Sequence, residues 1–315
     1  MNTNEINDFY IYLQSQQSAR HFLQTCYKKL PQVDAEAKSY ENCTTFMYYL
    51  EHGRKFYETG KQVDIVMQPM LFFYGMVHLV KACLLTKRPN YPESTTILAH
   101  GASTRKRKKK NYTFLTDEVK IQHQGLFPYF SEHLFSTKRI PFQKLNMEEL
   151  LGLIPELHIL FQMQHKKKLE SIGKLGDTML AFPPSILDQY HLTKKAFLSR
   201  IQPYLPQIQH TNQLQDSIVI ELEQPVFHAS GPLFIHQNET LYFPSSRDNF
   251  WPISEVMVHY LLLYNLSMLS RYEAEWWGDL LVTKSEIDYP FILRFLQITE
   301  AKIPFLLGTE LYKMV

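Results

Sequence analysis

Two apolar segments constrain the fold of this 315-residue chain more than any other feature. Residues 70–85 are nearly all apolar, and residues 256–269 are apolar on every side of a helix except at His259, Asn265 and Ser267. A helix that is apolar all round must be buried. The first segment, of about 16 residues, is too short to cross a bilayer, which takes roughly 20. We therefore expect two core helices, over 70–85 and 255–272, that pack against each other.

Further helices are expected at both ends of the chain. Apolar residues at helical spacing predict them over residues 6–13, 22–30, 35–57, 193–201, 289–299 and from Pro304 onward. Asn146, with Glu149 three residues on, forms a helix-start signature. Residues 150–169 would continue that helix, and Pro155 should kink or divide it.

Alternating residues predict two small β-hairpins. The first covers residues 112–122 with its turn at 116–118, and the second covers residues 233–243 with its turn at Gln237-Asn238. Residues 217–223 alternate in the same way. The predicted fold class is therefore α+β: a mainly α-helical core with two small β-hairpin or sheet insertions.

A domain junction is predicted in the polar, irregular segment 170–213, which is rich in Gly and Pro. It divides the chain into residues 1–170, a helical domain with a basic loop and a hairpin, and residues 171–315, a short β segment followed by helices. The alternative is one continuous domain, which this chain length also allows.

Cysteines and motifs exclude several classes of site. Cys26, Cys43 and Cys83 are odd in number and widely spaced, which is typical of buried thiols in a reducing compartment. No dinucleotide fingerprint, P-loop or nucleophile elbow occurs, so we expect neither a cofactor nor a metal site. The N-terminus lacks a signal peptide, and no apolar run reaches spanning length. We expect a cytoplasmic protein without a membrane partner.

The strongest charge feature is a run of six cations: Arg105, Lys106, Arg107, Lys108, Lys109 and Lys110. The formal net charge is only +2, so the rest of the chain is net negative. Adjacent cations repel one another and resist burial, which predicts an exposed loop. Such a loop suits several phosphates, and Tyr112 and Phe114 just after it are placed to stack on bases. A solvated loop without a partner, or one that contacts an acidic protein surface, are the alternatives.

Two single residues are further candidates. His100, before Gly101 at a chain reversal, is a candidate catalytic or ligand-binding group, and a packing histidine is the plainer interpretation. Arg271 ends the predicted helix 255–272, where it either binds an anion or caps the helix C-terminus. No complete catalytic signature accompanies them, so we favour a protein that is not an enzyme.

Several short stretches carry a family resemblance: Phe73-Tyr74-Gly75, His78-Leu79-Val80-Lys81-Ala82, Ala99-His100-Gly101, Gly125-Leu126-Phe127, residues 264–272 and Trp276-Trp277. Together they resemble the YaaC-like family of bacterial proteins over most of the chain. The resemblance implies a bacterial cytoplasmic protein, but no particular activity. A weaker likeness to the helical HEPN superfamily, often ribonucleases or toxin and defence components, lacks that group's motif of an Arg a few residues before a His, because eleven residues separate Arg88 from His100.

Three functions follow as hypotheses. The first is a non-enzymatic binding or regulatory protein whose loop 105–110 contacts nucleic acid or an acidic protein surface. The second is a metal-independent ribonuclease, with His100 as general acid or base and Arg105 or Arg107 on the phosphate. The third is an interaction subunit of a larger assembly or a homo-oligomer, in contact through aromatic side chains.

Overall fold

The computed structural model of the protein describes residues 2–105, 112–138, 140, 142–228 and 231–315. Within them lie twelve α-helices and three small antiparallel sheets of three strands each. The predicted class, mainly α-helical with small β insertions, is confirmed.

The helices have the following bounds: α1 Thr3–Tyr12, α2 Gln16–Lys28, α3 Ala35–Gln62, α4 Gln68–Lys87, α5 Leu126–Phe135, α6 Met147–Leu151, α7 His158–Met163, α8 Ile186–Tyr190, α9 Lys194–Ile201, α10 Glu255–Tyr272, α11 Ala274–Thr283 and α12 Asp288–Tyr312. Short 3-10 helices cover Thr95–Leu98, Pro155–Leu157, Gln202–Tyr204 and Arg247–Asn249. The strands are β1 Ala102–Thr104, β2 Glu118–Ile121, β3 Lys144–Asn146, β4 Leu169–Lys174, β5 Met179–Phe182, β6 Ile208–Gln213, β7 Ile218–Leu222, β8 Phe234–Ile235 and β9 Thr240–Pro244.

The chain forms two compact units. The terminal unit combines Met1–Leu145 with His259–Val315, and the inserted unit is Asn146–Val258. The polypeptide therefore leaves the first unit and returns to it. These limits differ from the segments 1–170 and 171–315 proposed from the sequence.

Helices α3 and α4 pack closely in the terminal unit because glycines line their contact. A Cβ added at Gly53 would lie 2.7 Å from the Leu79 side chain, and one at Gly75 would lie 2.8 Å from the Tyr57 ring. Both positions are buried. The absence of a side chain lets large apolar residues of one helix reach the backbone of the other.

The two apolar helices lie where the sequence predicted them. The Phe73 ring of α4 has its centroid 5.3 Å from that of Tyr260 and 5.6 Å from that of Tyr264, both on α10. The expected contact between them is thus confirmed. Helix α4 is long and apolar enough to cross a membrane by composition alone, but 72% of its most apolar window is buried inside the structure.

The C-terminal helix runs through its proline. We expected separate helices before and after Pro304, but α12 is continuous over Asp288–Tyr312. Helix α1 packs against α12 at this point, where the Tyr10 hydroxyl donates a hydrogen bond of 2.9 Å to the Pro304 carbonyl.

The three cysteines are free and buried, as predicted.

The first predicted hairpin is wrong in one of its two strands. Strand β2 pairs in antiparallel fashion with β1, with Ser103 opposite Lys120, so residues 112–115 are not a strand. The backbone N–H groups of Phe114 and Leu115 instead donate to the carboxylate of Asp288. The connection between β1 and β2 therefore contains Arg105 and residues 106–111, and the latter lie outside the described residues.

The inserted unit is built on two sheets, with strand orders β4-β9-β8 and β5-β7-β6. The second predicted hairpin, β8 with β9, is confirmed, and so is the strand over Ile218–Leu222. Phe182, Ile220 and Phe243 belong to one core between these elements. The segment 170–213 is therefore wrongly described as an irregular junction, since it holds β4, β5 and β6.

The helix predicted from Asn146 is much shorter than expected. Asn146 and Glu149 form the expected capping box. Pro155 divides the segment as predicted, because it begins a 3-10 helix. The following helix α7 ends at Met163, and the chain enters β4 at Leu169, so the predicted continuation to 169 is wrong.

Candidate functional site

The backbone at His100 is held firmly within the terminal unit. Its carbonyl accepts hydrogen bonds from the Phe127 N–H at 3.1 Å and from the Tyr260 hydroxyl at 2.9 Å. Gly101 follows with φ of +76°, and a Cβ there would lie 2.6 Å from Pro128. A Cβ on Gly125 would lie 2.5 Å from Gly101 itself. These contacts give a structural reason for two of the family stretches.

The His100 ring lies among aromatic side chains. Its centroid is 5.1 Å from that of Phe73, 5.7 Å from that of Tyr264 and 6.2 Å from that of Tyr74. Burial lowers the pKa of His100 below its usual value, and the positive charges of Arg271 and Lys81 lower it further. The imidazole is therefore neutral at pH 7 and is able to accept or donate a hydrogen bond.

Arg271 lies at the end of α10 and faces the same rings. Its Nε donates to the Ser267 carbonyl at 2.9 Å, as expected of a residue that caps the helix C-terminus. Its Nη1 donates to the Tyr74 hydroxyl at 3.3 Å, and its guanidinium lies 5.2 Å from the centre of the Tyr272 ring. The Nε–H of the guanidinium thus caps the helix, while Nη1 reaches Tyr74, whose ring contacts His100.

Helix α4 supplies the remaining side chains of the site. Tyr74, His78 and Lys81 are spaced by four and three residues, so they lie on one face of the helix. All three are half-buried. Burial is the main cause that lowers the pKa of His78 to about 4, and burial also lowers the pKa of Lys81.

We call Tyr74, His78, Lys81, His100 and Arg271 the ring–cation cluster. No carboxylate raises the pKa of His78, Lys81 or His100, which burial and neighbouring cations or rings lower. Helix α4 contains no Asp or Glu at all. Within the part of the chain that the structure describes, Lys81 and Arg271 form no ion pair. Two half-buried cations without a counter-charge have the charge that an anion would complement.

His78 adds a second polar feature. Its Nδ1 is buried and has no hydrogen-bond partner among the described residues. Buried polar atoms in native proteins almost always have a partner, which is often water or a ligand. The cluster therefore offers an unused hydrogen-bonding atom beside Lys81.

The basic run lies near this cluster along the chain. Strand β1 separates His100 from Arg105, which is exposed. Lys106, Arg107, Lys108, Lys109 and Lys110 lie outside the described residues. The part of the run that the structure describes thus follows a strand that starts next to the cluster.

The aromatic residues after the basic run are not free to stack as predicted. Phe114 is fully buried, so its ring is not available to a base. Tyr112 is half-buried, its hydroxyl donates to Asp117 at 2.9 Å, and its ring packs edge-on against Trp276 with centroids 4.8 Å apart. These contacts attach the segment to α11. The Tyr112 ring is therefore engaged within the protein and is not placed to stack on a base, as the sequence suggested.

Metal ligation has no candidate among the described residues, where no group of three or more His, Cys, Asp or Glu side chains is arranged to hold an ion. Sequence reasoning selected His100 and Arg271, and the structure brings both into one cluster. It did not select Tyr74, His78 and Lys81 as site residues. Their shared face on an otherwise apolar helix is the signal that would have found them.

Comparison with known families gives one match. The model of the family described as YaaC-like protein matches residues 11–311, which is nearly the whole chain. No curated protein matches the chain, and no solved structure matches it either. The weaker likeness to the HEPN superfamily finds no support in these comparisons.

Proposed function

This chain belongs to the YaaC-like protein family, and we propose that it is a non-enzymatic protein that binds an anionic partner through the ring–cation cluster. One observation carries the proposal: the side chains of Lys81 and Arg271 are half-buried beside His100 and have no carboxylate partner within the described residues. Leaving such cations without a counter-charge costs stability, so an anion that supplies the counter-charge would bind favourably.

The basic run supports the same proposal from the sequence. Arg105 to Lys110 begin five residues after His100, on the far side of the short strand β1. An extended polyanion bound at the cluster would reach Arg105, which follows this strand, since a strand advances about 3.3 Å per residue. The cluster would supply a fixed site, and the run would add contacts that weaken with salt.

Binding of inorganic polyphosphate by the full chain tests the proposal. We expect Arg271→Gln to weaken affinity at least about tenfold, because hydrogen bonds to a charged group contribute roughly 1.5–3 kcal/mol each. The matched control is Arg294→Gln, which removes the same charge from an exposed side chain of α12 whose one hydrogen bond in the described structure goes to Gln297. Equal affinities in wild type and Arg271→Gln would contradict the proposal.

The contribution of the basic run needs its own variant. Replacement of residues 105–110 by Gly and Ser should reduce the dependence of affinity on salt, since each lost phosphate contact changes the log–log slope by about 0.7–0.9. Binding at low salt should persist through the cluster. An unchanged slope would exclude the run from the binding site.

A ribonuclease is the second candidate, favoured by the position of His100 beside Arg271. A neutral imidazole next to a guanidinium has the chemistry to remove a proton from a 2′-hydroxyl while the cation holds the phosphate. Incubation of total RNA with the wild type and with His100→Ala tests this. Equal cleavage by both proteins would exclude His100, and the absence of cleavage by the wild type would exclude the activity.

The remaining expectations are proposals about context. A cytoplasmic protein without a membrane partner is supported by the burial of most of α4. An interaction subunit or homo-oligomer is supported by exposed aromatic side chains such as Tyr40, Tyr48 and Tyr272. Measurement of the mass in solution at several concentrations tests self-association.

A further inference from the structure

We infer that the anionic partner is a single-stranded nucleic acid, whose bases stack along a row of rings that leads from the surface to the ring–cation cluster. This inference rests on the proposed function, because it identifies the ligand class of the same site. The row consists of Tyr48, His52 and Phe56 on α3 together with His78 and Tyr74 on α4.

Each ring of the row contacts the next, and two of the pairs are stacked. Tyr48 and His52 are stacked, with centroids 6.1 Å apart and planes 10° apart. His52 meets His78 at 5.4 Å, and His78 is stacked on Phe56 at 5.7 Å with planes 13° apart. Phe56 lies 6.4 Å from Tyr74, which in turn meets the His100 ring at 6.2 Å.

The outer end of this row is open to solvent. Tyr48 is 56% exposed, and His52 is exposed beside it, whereas Phe56, His78 and Tyr74 are half-buried. A stacked pair of exposed rings gains little from burial in the protein itself. It does provide a flat face for a base, and stacking of bases on aromatic rings tolerates any sequence.

The cations are placed along the same row. Lys81 lies with its ammonium 5.7 Å from the centre of the Tyr49 ring, next to His78, and Arg271 donates to the Tyr74 hydroxyl at the inner end. Aromatic rings together with cations are the combination by which proteins hold single strands without sequence preference. An acidic peptide would use the cations but would have no use for the exposed rings. The bases of a duplex are paired and stacked on each other, so they are not available to this row.

Oligonucleotide binding by the full chain tests the inference. The probe is a single strand of about 12 nucleotides, within the range of sites that stacking proteins cover. Removal of both outer rings, Tyr48→Ala with His52→Ala, should weaken its binding about tenfold or more. Polyphosphate binding should stay unchanged, because polyphosphate has no bases to stack on these rings. The matched control is Tyr40→Ala, which removes an exposed ring of the same helix outside the row.

Three comparisons of affinity would overturn the inference. They are an unchanged oligonucleotide affinity in the double variant, an equal loss in Tyr40→Ala, and a duplex of the same sequence bound as tightly as the single strand. Polyphosphate binding that depends on Arg271, together with no binding of the oligonucleotide, would overturn this inference alone and leave the proposed function standing. Loss of the Arg271 dependence would instead overturn the proposed function. Both substituted side chains are exposed, so the double variant should fold as the wild type does.

Discussion

Asp288 fixes the segment that follows the basic run. Its carboxylate is almost fully buried and accepts the N–H groups of Phe114 and Leu115, the latter at 3.1 Å. We expect Asp288→Ala to lower the free energy of unfolding by about 2–4 kcal/mol, because two buried N–H groups lose their acceptor and each costs roughly 1–3 kcal/mol. Urea denaturation measures this loss.

The amide variant provides the comparison. Asp288→Asn keeps one oxygen as an acceptor, so its loss should be smaller than that of Asp288→Ala. Equal stabilities of the alanine variant and the wild type would show that these N–H groups find other partners.

His78 should make stability depend on pH. Its pKa is lowered to about 4, mainly by burial. An unfolded histidine binds a proton below about pH 6.5, so the unfolded state gains protons first and stability falls as the pH drops from 6.5 toward 4. Because the ring is only half-buried, we expect a contribution on the order of 1 kcal/mol between pH 7 and pH 5.

The measurement is chemical denaturation at those two pH values. His78→Leu should reduce the difference in stability between them, and the same substitution at the exposed His21 serves as the control. An identical pH dependence in wild type and His78→Leu would remove His78 as its source.

Single residues show where sequence reasoning succeeds and fails. His100 was identifiable because Gly101 marks a chain reversal, and Arg271 because it ends a long apolar helix. Lys81 shares one face of an apolar helix with Tyr74 and His78, but this pattern does not show whether a carboxylate lies opposite. Only the neighbours supplied by α3 and α10 show that it lacks a counter-charge, and a linear pattern does not contain those neighbours.

At the scale of helices, a larger side chain in the contact between α3 and α4 should lower the stability of the protein. Alanine normally stabilises a helix over glycine by about 1 kcal/mol. At Gly75, however, the new Cβ would lie 2.8 Å from the buried Tyr57 ring. Overpacking costs about 1–3 kcal/mol, so we expect Gly75→Ala to be destabilising, with a lower melting temperature.

Gly278 on α11 is the matched position. A Cβ there meets nothing within 4 Å. Gly278→Ala should therefore raise stability by roughly 0.5–1 kcal/mol. Opposite signs at the two glycines are the expected result. Stabilisation at both would mean that the α3–α4 contact adapts without strain.

The elements found from the sequence share one property. Helices α4 and α10 are apolar on every side, so burial leaves a single choice, and their predicted bounds were within a few residues of the observed ones. Strand β1 has only three small residues and no periodicity to detect. Residues 112–115 alternate but are attached through Asp288, a residue far away in sequence. Pairing of this kind depends on long-range contacts, which local patterns do not contain.

At the scale of the whole molecule, the inserted unit should fold on its own. It comprises roughly 110 residues with its own apolar core, which is the usual size of an independent domain. We expect a fragment of residues 146–258 to unfold in one cooperative transition. Circular dichroism during thermal unfolding measures this. A fragment without a transition would show that its core needs the rest of the chain. The sequence did not reveal this unit because its limits are set by the return of the chain, not by local Gly and Pro content.

The return of the chain has a consequence for biosynthesis. Helix α1 contacts α12 through Tyr10 and Pro304, so this contact of the terminal unit cannot form until the last helix leaves the ribosome. At about 5–20 residues per second, translation of the inserted unit alone takes roughly 5–20 s. During that interval the parts of α1 and α4 that pack against α12 and α10 are made but uncovered. This period is when a nascent chain of this protein would depend most on chaperones.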